Sequence, residues 1–88
     1  MSNEGAYITL NRMHKVLPLF KKEIVDKSVD RGEGNRSEIE EYYDEYPPFF
    51  EVKSWGITVV AGEDYDVYEE YDTSSFKKKI EALEEKYK

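Results

Sequence analysis

The chain has 88 residues, a formal net charge of −7 and no cysteine. This length fits one small domain, residues 1–88, and the lack of cysteine excludes disulfide bonds and a cysteine-ligated zinc site. No apolar run is long enough to span a bilayer, and acidic proteins are repelled by nucleic acid and by anionic membranes. We therefore expect a cytoplasmic protein that binds neither nucleic acid nor membrane directly.

The first seven residues lack the basic segment and apolar run of a signal peptide, and we expect residues 1–6 to be flexible. Apolar residues then recur at spacings of three and four, which predicts a helix with one apolar stripe. Pro18 lies inside that stripe, where it removes a backbone hydrogen bond. Because the stripe keeps its phase across the proline, we favour one kinked helix over two shorter ones. The stripe consists of Leu10, Met13, Leu17, Phe20 and Ile24.

A mobile loop is predicted at residues 30–36, which contain two glycines and an asparagine. The Ser-Glu-Ile-Glu segment that starts at Ser37 has the pattern of a capping box and predicts a second, short helix, which the prolines at 47 and 48 end. One face of this helix carries Ile39 and three tyrosines and should pack on the rest of the chain. The other face carries three carboxylates, Glu38, Glu41 and Glu45.

From Phe49 onward, β-branched and aromatic residues predict three strands at residues 49–53, 57–61 and 65–71. The two connections are short and contain glycine, which is typical of tight hairpins. A last helix, residues 75–87, follows a cap supplied by Thr73, Ser74 or Ser75. We expect an α+β fold of order ααβββα, with a three-stranded antiparallel meander and the first and last helices on one of its faces.

The sequence offers little for catalysis or for cofactor binding. His14 is the only histidine, and there is no P-loop, nucleophile elbow or dinucleotide-binding glycine pattern. A twelve-residue loop from Asp30 to Glu41 begins and ends as a calcium-binding EF-hand does, but it has glycine at two ligand positions and asparagine at the required glycine. We expect no enzyme activity, no cofactor and no dedicated metal site.

Charge is distributed unevenly along the chain. Residues 30–72 hold fourteen acidic and three basic residues, a net charge of −11, while the segments before and after are each +2. Six of the eight tyrosines lie in the acidic stretch. Acidic side chains interleaved with aromatic ones attract a basic partner and also give it a surface to pack against.

The third predicted strand concentrates this pattern. Side chains alternate between the two faces of a strand. One face therefore carries a mostly acidic row whose members lie about 7 Å apart along the strand, and the core face carries Tyr65, Val67 and Tyr71. That spacing is close to the separation of neighbouring phosphates on a nucleic-acid strand, so the row imitates a phosphate backbone. The helix carboxylates supply a second row. The predicted strand row is Asp64, Asp66, Tyr68, Glu70 and Asp72.

In composition, this small, acidic, tyrosine-rich α+β chain without cysteine resembles the nucleic-acid-mimicking inhibitors that phages and mobile elements encode. The resemblance implies a partner with a basic, nucleic-acid-binding surface. Its Lys and Arg residues would pair with the carboxylates of both rows, while Tyr68 adds packing area. The alternative is an interaction or assembly module, such as an immunity protein or a virion-assembly factor. In that case the acidic surface only promotes solubility.

Overall fold

The computed structural model describes residues 10–88, with side chains from residue 12 onward, and the predicted flexible segment 1–6 lies outside this range. The described residues form three α-helices and one three-stranded antiparallel sheet, which confirms the predicted α+β order. In chain order the elements are α1 (Leu10–Asp30), α2 (Arg36–Glu45), β1 (Phe49–Lys53), β2 (Gly56–Ala61), β3 (Val67–Asp72) and α3 (Thr73–Lys86).

β2 is the central strand and pairs antiparallel with β1 and with β3. Val59 lies opposite Phe50 of β1 and Glu69 of β3, so these three residues share one face of the sheet. Their sequence neighbours face the other way, because side chains alternate along a strand. Val59 contacts the helices. The face that it shares with Phe50 and Glu69 is therefore the helix-covered face, and the opposite face has none of the described helices on it and is called helix-free.

The main core lies between the helix-covered face of the sheet and helices α1 and α3. Phe20 of α1 is buried at its centre, with its ring centroid 5.9 Å from that of Phe50 and 6.2 Å from that of Phe76. It also makes an edge contact with Tyr71 of β3. One ring of α1 thus joins both edge strands and the last helix. The buried residues of this cluster are Val16, Phe20, Val59, Phe76, Ile80 and Leu83.

A second cluster attaches α2 to α1 and to the end of β2. Ile39 and Tyr43 are the buried residues of α2, and they pack against Ile24, Val25 and Ala61. The carboxylates on the opposite side of α2 are exposed, as the sequence predicts. α2 therefore lies on the same side of the sheet as the other two helices.

Helix α1 runs without interruption across Pro18, which confirms one helix rather than two. It extends beyond the predicted stripe to Asp30, so the loop before α2 is shorter than predicted and spans residues 31–35. Whether this loop is mobile stays a prediction.

Both predicted helix caps are wrong by a few residues. Asn35, not Ser37, caps α2: its side chain accepts from the Glu38 backbone N–H at 2.9 Å, and the Glu38 side chain accepts from the Asn35 N–H. The cap of α3 is Asp72, which accepts from the Ser75 backbone N–H at 2.8 Å. In each case the capping carboxamide or carboxylate lies just before the predicted cap and satisfies a free N–H of the first turn.

β3 begins at Val67, two residues later than predicted. Tyr65 has a φ of 56°, a left-handed conformation that ends strand geometry at that point. Its side chain is therefore exposed rather than part of the core, which corrects the prediction for this tyrosine. Val67 and Tyr71 are half-buried on the helix-covered face, as predicted.

Asp26 joins the three helices at one point. Its carboxylate accepts from Arg36 at 2.8 Å and from the Tyr87 hydroxyl at 2.6 Å. The hydrogen bond from Tyr87 and the one from Arg36 lower the pKa of Asp26, while burial and the bond to Asp26 raise the pKa of Tyr87 to about 12. Asp26 therefore stabilises the fold in its charged form.

A prediction concerns Gly56 at the start of β2. A Cβ at this position would lie 2.0 Å from the Tyr71 carbonyl oxygen, so Gly56→Ala should destabilise the domain by about 1–3 kcal/mol or more. Gly32→Ala is the control, because open space surrounds Gly32 and only its φ of 76° opposes a side chain. Urea unfolding measures both variants, and a smaller cost for Gly56→Ala would contradict the β2–β3 packing.

A second prediction follows from the lowered pKa of Asp26. Its stabilisation is present above the unfolded pKa of about 4 and is lost as the pH falls through the lower folded value. Asp26→Asn should therefore be about 1 kcal/mol less stable than the wild type at pH 7, and the difference should shrink below pH 4. Urea unfolding across this pH range tests it, and a constant difference would contradict it.

Candidate functional site

The helix-free face of the sheet, called the open sheet face below, is the first candidate surface. The three described helices all pack on the other face. In rows across the three strands, the open sheet face consists of Phe49, Val60 and Tyr68, then Glu51, Thr58 and Glu70, then Lys53, Gly56 and Asp72.

The predicted acidic row is regular only within β3. Tyr68, Glu70 and Asp72 alternate on the open sheet face and are exposed, with Tyr68 at 49 %. Glu70 forms no ion pair with any residue from 12 to 88 whose side chain is described. Asp72 differs, because it caps α3 and its pKa is lowered by the hydrogen bonds from Ser75. The charge of Asp72 therefore also stabilises the first turn of α3.

Asp64 and Asp66 precede β3 and lie in the turn that includes Tyr65. Both are exposed, but the even spacing of the row does not extend to them. Asp66 instead accepts a hydrogen bond from the Tyr42 hydroxyl of α2, and the hydroxyl oxygen of Tyr42 accepts one from the Glu63 backbone N–H at 2.9 Å. Tyr42 thereby fixes the turn before β3 against α2.

The α2 carboxylates form a second acidic surface beside this turn. Glu38, Glu41 and Glu45 line one shallow groove, and Glu38 also lines a cleft with Asp66. We call these four residues the α2 patch. The predicted site residues are therefore divided between the α2 patch and the open sheet face, with Asp64 in the connecting turn.

The pKa values of two tyrosines, Tyr42 in α2 and Tyr46 at its end, are raised by neighbouring carboxylates. The pKa of Tyr42 is raised by its hydrogen bond to Asp66, and the pKa of Tyr46 is raised chiefly by the charges of Glu45 and Glu63. Neighbouring carboxylates disfavour the phenolate, because like charges repel. The same field attracts cations to this side of the molecule.

Six residues of the open sheet face were not predicted as part of a site, and three of them are Phe49, Glu51 and Thr58. Phe49 is 41 % exposed, and its ring contacts that of Tyr65 with centroids 6.1 Å apart. Glu51 lies across from Glu70, with Thr58 between them. Alternation within the first strand places Phe49, Glu51 and Lys53 on one face, but strand pairing is needed to place Thr58 beside them.

Thr58 is the most unusual of these residues. It is fully buried, although the register places its side chain on the face away from the described helices. Its Oγ1 atom has no hydrogen-bond partner among the described residues. A buried hydroxyl without a partner costs about 1–3 kcal/mol. The middle of the open sheet face therefore contains a polar atom whose bonding capacity is unused.

Other kinds of site find no support within residues 10–88. No group of three or more histidine or carboxylate side chains there is arranged to hold a metal ion. None of the three helices combines the length and apolar character needed to cross a membrane. The chain matches no family model, no curated protein and no solved structure.

The unused hydroxyl gives a stability prediction. Thr58→Val keeps the shape of the side chain and removes the oxygen, so the free energy of unfolding should rise by about 1 kcal/mol. Thr58→Ala is the control, because it also removes the oxygen but leaves a cavity. Urea unfolding measures both, and a loss of stability in Thr58→Val would mean that Oγ1 has a partner in the free protein.

Proposed function

We propose that this chain is a non-catalytic binding protein that occupies the basic, nucleic-acid-binding surface of a partner and so inhibits it. Its carboxylates take the place of phosphates, and exposed aromatic rings add packing area. The proposed setting is the cytoplasm, where such a partner meets its nucleic acid. The nucleic-acid-mimicking inhibitors of phages and mobile elements are the class that this proposal resembles.

The observation that carries the proposal is the helix-free face of the sheet. Tyr68 and Phe49 are exposed there beside Glu70, which has no ion pair with a described side chain. A basic partner can therefore gain both charge pairing and apolar burial at one place. An acidic surface that only promoted solubility would not need exposed aromatic rings among its carboxylates.

A second support is that the acidic side chains are held on regular structure. Glu41 and Glu45 lie on α2, whose buried face is fixed by Ile39 and Tyr43. The hydrogen bond from Tyr42 to Asp66 fixes the neighbouring turn. Carboxylates that are fixed before binding lose less conformational freedom when a partner arrives.

The second candidate function is assembly of the chain with copies of itself. Its support is that Lys15 and Lys22 of α1 and Lys78 of α3 are exposed, on elements that lie behind the open sheet face. A head-to-tail contact would bring these lysines of one copy to the carboxylates of the next. Light scattering distinguishes the two: growth of mass with protein concentration favours assembly, and a constant monomer mass favours the inhibitor.

A pull-down from a candidate host lysate, with the tagged chain as bait, tests the proposed function. We expect a retained protein that binds nucleic acid by itself, is released by added duplex DNA, and dissociates as salt rises. Glu45→Gln with Glu70→Gln, one change on each acidic surface, should reduce retention at least fivefold.

Glu84→Gln with Glu85→Gln is the matched control. It changes the net charge equally, but on α3, which packs on the helix-covered face. Retention should stay within twofold of the wild type in this variant. A partner that both variants retain equally, and that duplex DNA does not release, would contradict the proposed function.

A further inference from the structure

The outer edge of β1 has no neighbouring strand within residues 10–88, because β2 pairs with β1 on its other side. Lys53 and Gly56 pair across a two-residue turn, and the residues that close such a turn bond to each other through the backbone. Hydrogen-bonded pairs alternate along an antiparallel ladder. The backbone N–H and C=O groups of Phe50 and Val52 therefore point away from β2, toward the outer edge.

An open groove of about 280 Å³ follows this edge, between β1 and the first half of α1. Its side chains are Met13, His14, Leu17, Phe49, Phe50 and Val52. The strand residues come from both faces of the sheet, since Phe49 is on the open sheet face and the other two are on the helix-covered face. Val52 is nevertheless 76 % exposed. A strand added at this edge would therefore find apolar side chains to pack against as well as backbone groups to bond.

A second copy of β1 fits this edge in one register. When the two copies run antiparallel with Val52 opposite Val52, Glu51 of each copy lies opposite Lys53 of the other. These charges lie on the open sheet face, in a pair without backbone hydrogen bonds, where side chains approach most closely. Opposite charges at such positions stabilise a strand pair. The strand is therefore complementary to itself, as a two-fold interface requires.

The neighbouring two-fold registers are less favourable. Centring the pair on Glu51 places two glutamates opposite each other, and centring it on Lys53 does the same with two lysines. Pairing nearer the start of β1 would involve Pro48, which has no N–H to donate. The other edge strand, β3, carries three carboxylates and would bring them close to those of its own copy. Charge therefore favours β1 and the register centred on Val52.

We propose that two copies of this chain pair through the outer edges of β1, with Val52 on the two-fold axis and Glu51 opposite Lys53 of the other copy on either side of it. The two sheets then form one continuous antiparallel sheet. This inference goes beyond the proposed function and does not rest on it. β3 lies at the far edge of each sheet, so Tyr68 and Glu70 stay exposed in the pair.

Sedimentation equilibrium from micromolar to millimolar protein tests the pair. We expect the mass to rise with concentration and to level off at twice the monomer mass. A pair closed by a two-fold axis stops at two copies, whereas the head-to-tail contacts considered above continue to add copies. Hydrogen exchange of the Phe50 and Val52 amides should slow about fivefold or more at the highest concentration, because both N–H groups donate to the other copy.

Val52→Lys tests whether the edge of β1 is the contact. It places two ammonium groups beside the axis, and lysine on an edge strand opposes pairing, so the dimer dissociation constant should rise about tenfold or more. Ala82→Lys is the matched control. It adds the same charge at another exposed residue, on α3 and outside the proposed contact, and should stay within about twofold of the wild type. Dispersed amide spectra establish that each variant is folded.

Exchange of the two charges tests the register. Glu51→Lys alone should raise the dissociation constant about threefold or more, although it makes the net charge less negative and so weakens the general repulsion between copies. Lys53→Glu alone should raise it as well. The double variant Glu51→Lys with Lys53→Glu restores both opposite-charge pairs and should return to within about twofold of the wild type.

Contrary results are distinct. A monomer mass up to millimolar protein would overturn the dimer, and equal weakening by Val52→Lys and Ala82→Lys would overturn its assignment to β1. A double variant that stays as weak as the single ones would overturn the register. Nuclear Overhauser contacts between residues 1–9 and Val52 of the same chain would mean that this segment, and not a second copy, occupies the edge. Partner retention tests the proposed function separately.

Discussion

The packing of Phe20 determines which face of the sheet α1 and α3 cover. This one ring of α1 contacts Phe50 of β1, Tyr71 of β3 and Phe76 of α3, and it therefore holds the main helices on one side of the sheet. A three-stranded sheet has two faces, and the helices within residues 10–88 cover one of them. The other face carries Tyr68 and its neighbours, and none of these described helices lies on it.

The carboxylates differ in their ion pairing. Two carboxylates of α1 are paired: Glu23 with Lys79 at 2.6 Å, and Asp26 with Arg36. On the open sheet face and on α2, carboxylates such as Glu70 and Glu45 have no ion pair with a described side chain. Concentrating like charges costs stability through self-repulsion. In a domain this small, that cost and the unused hydroxyl of Thr58 both favour a functional reason for the surface.

The sequence predicts the elements well because their signals are local. The apolar face of α2 and the order of the three strands follow from periodicity alone. The cap of α2 was misplaced because Asn35 and Ser37 each precede a glutamate by three residues, so two overlapping capping patterns compete. The left-handed Tyr65 has no such local signal, and it shortens the predicted acidic row. The position of Thr58 between Glu51 and Glu70 follows only from the pairing of the strands, and the periodicity of the sequence does not give this pairing.

The central claim is that the open sheet face, and not the surface of α3, contacts the proposed partner. Amide cross-saturation in a complex with a nucleic-acid-binding protein that the chain retains tests this claim directly. The exposed Tyr68 and Glu70 lie on the open sheet face, and the exposed Ala82 lies on α3. We expect a strong loss of amide intensity at Tyr68 and Glu70 and little at Ala82. Loss at Ala82 with unchanged signals at Tyr68 and Glu70 would place the interface on the helices and contradict the claim.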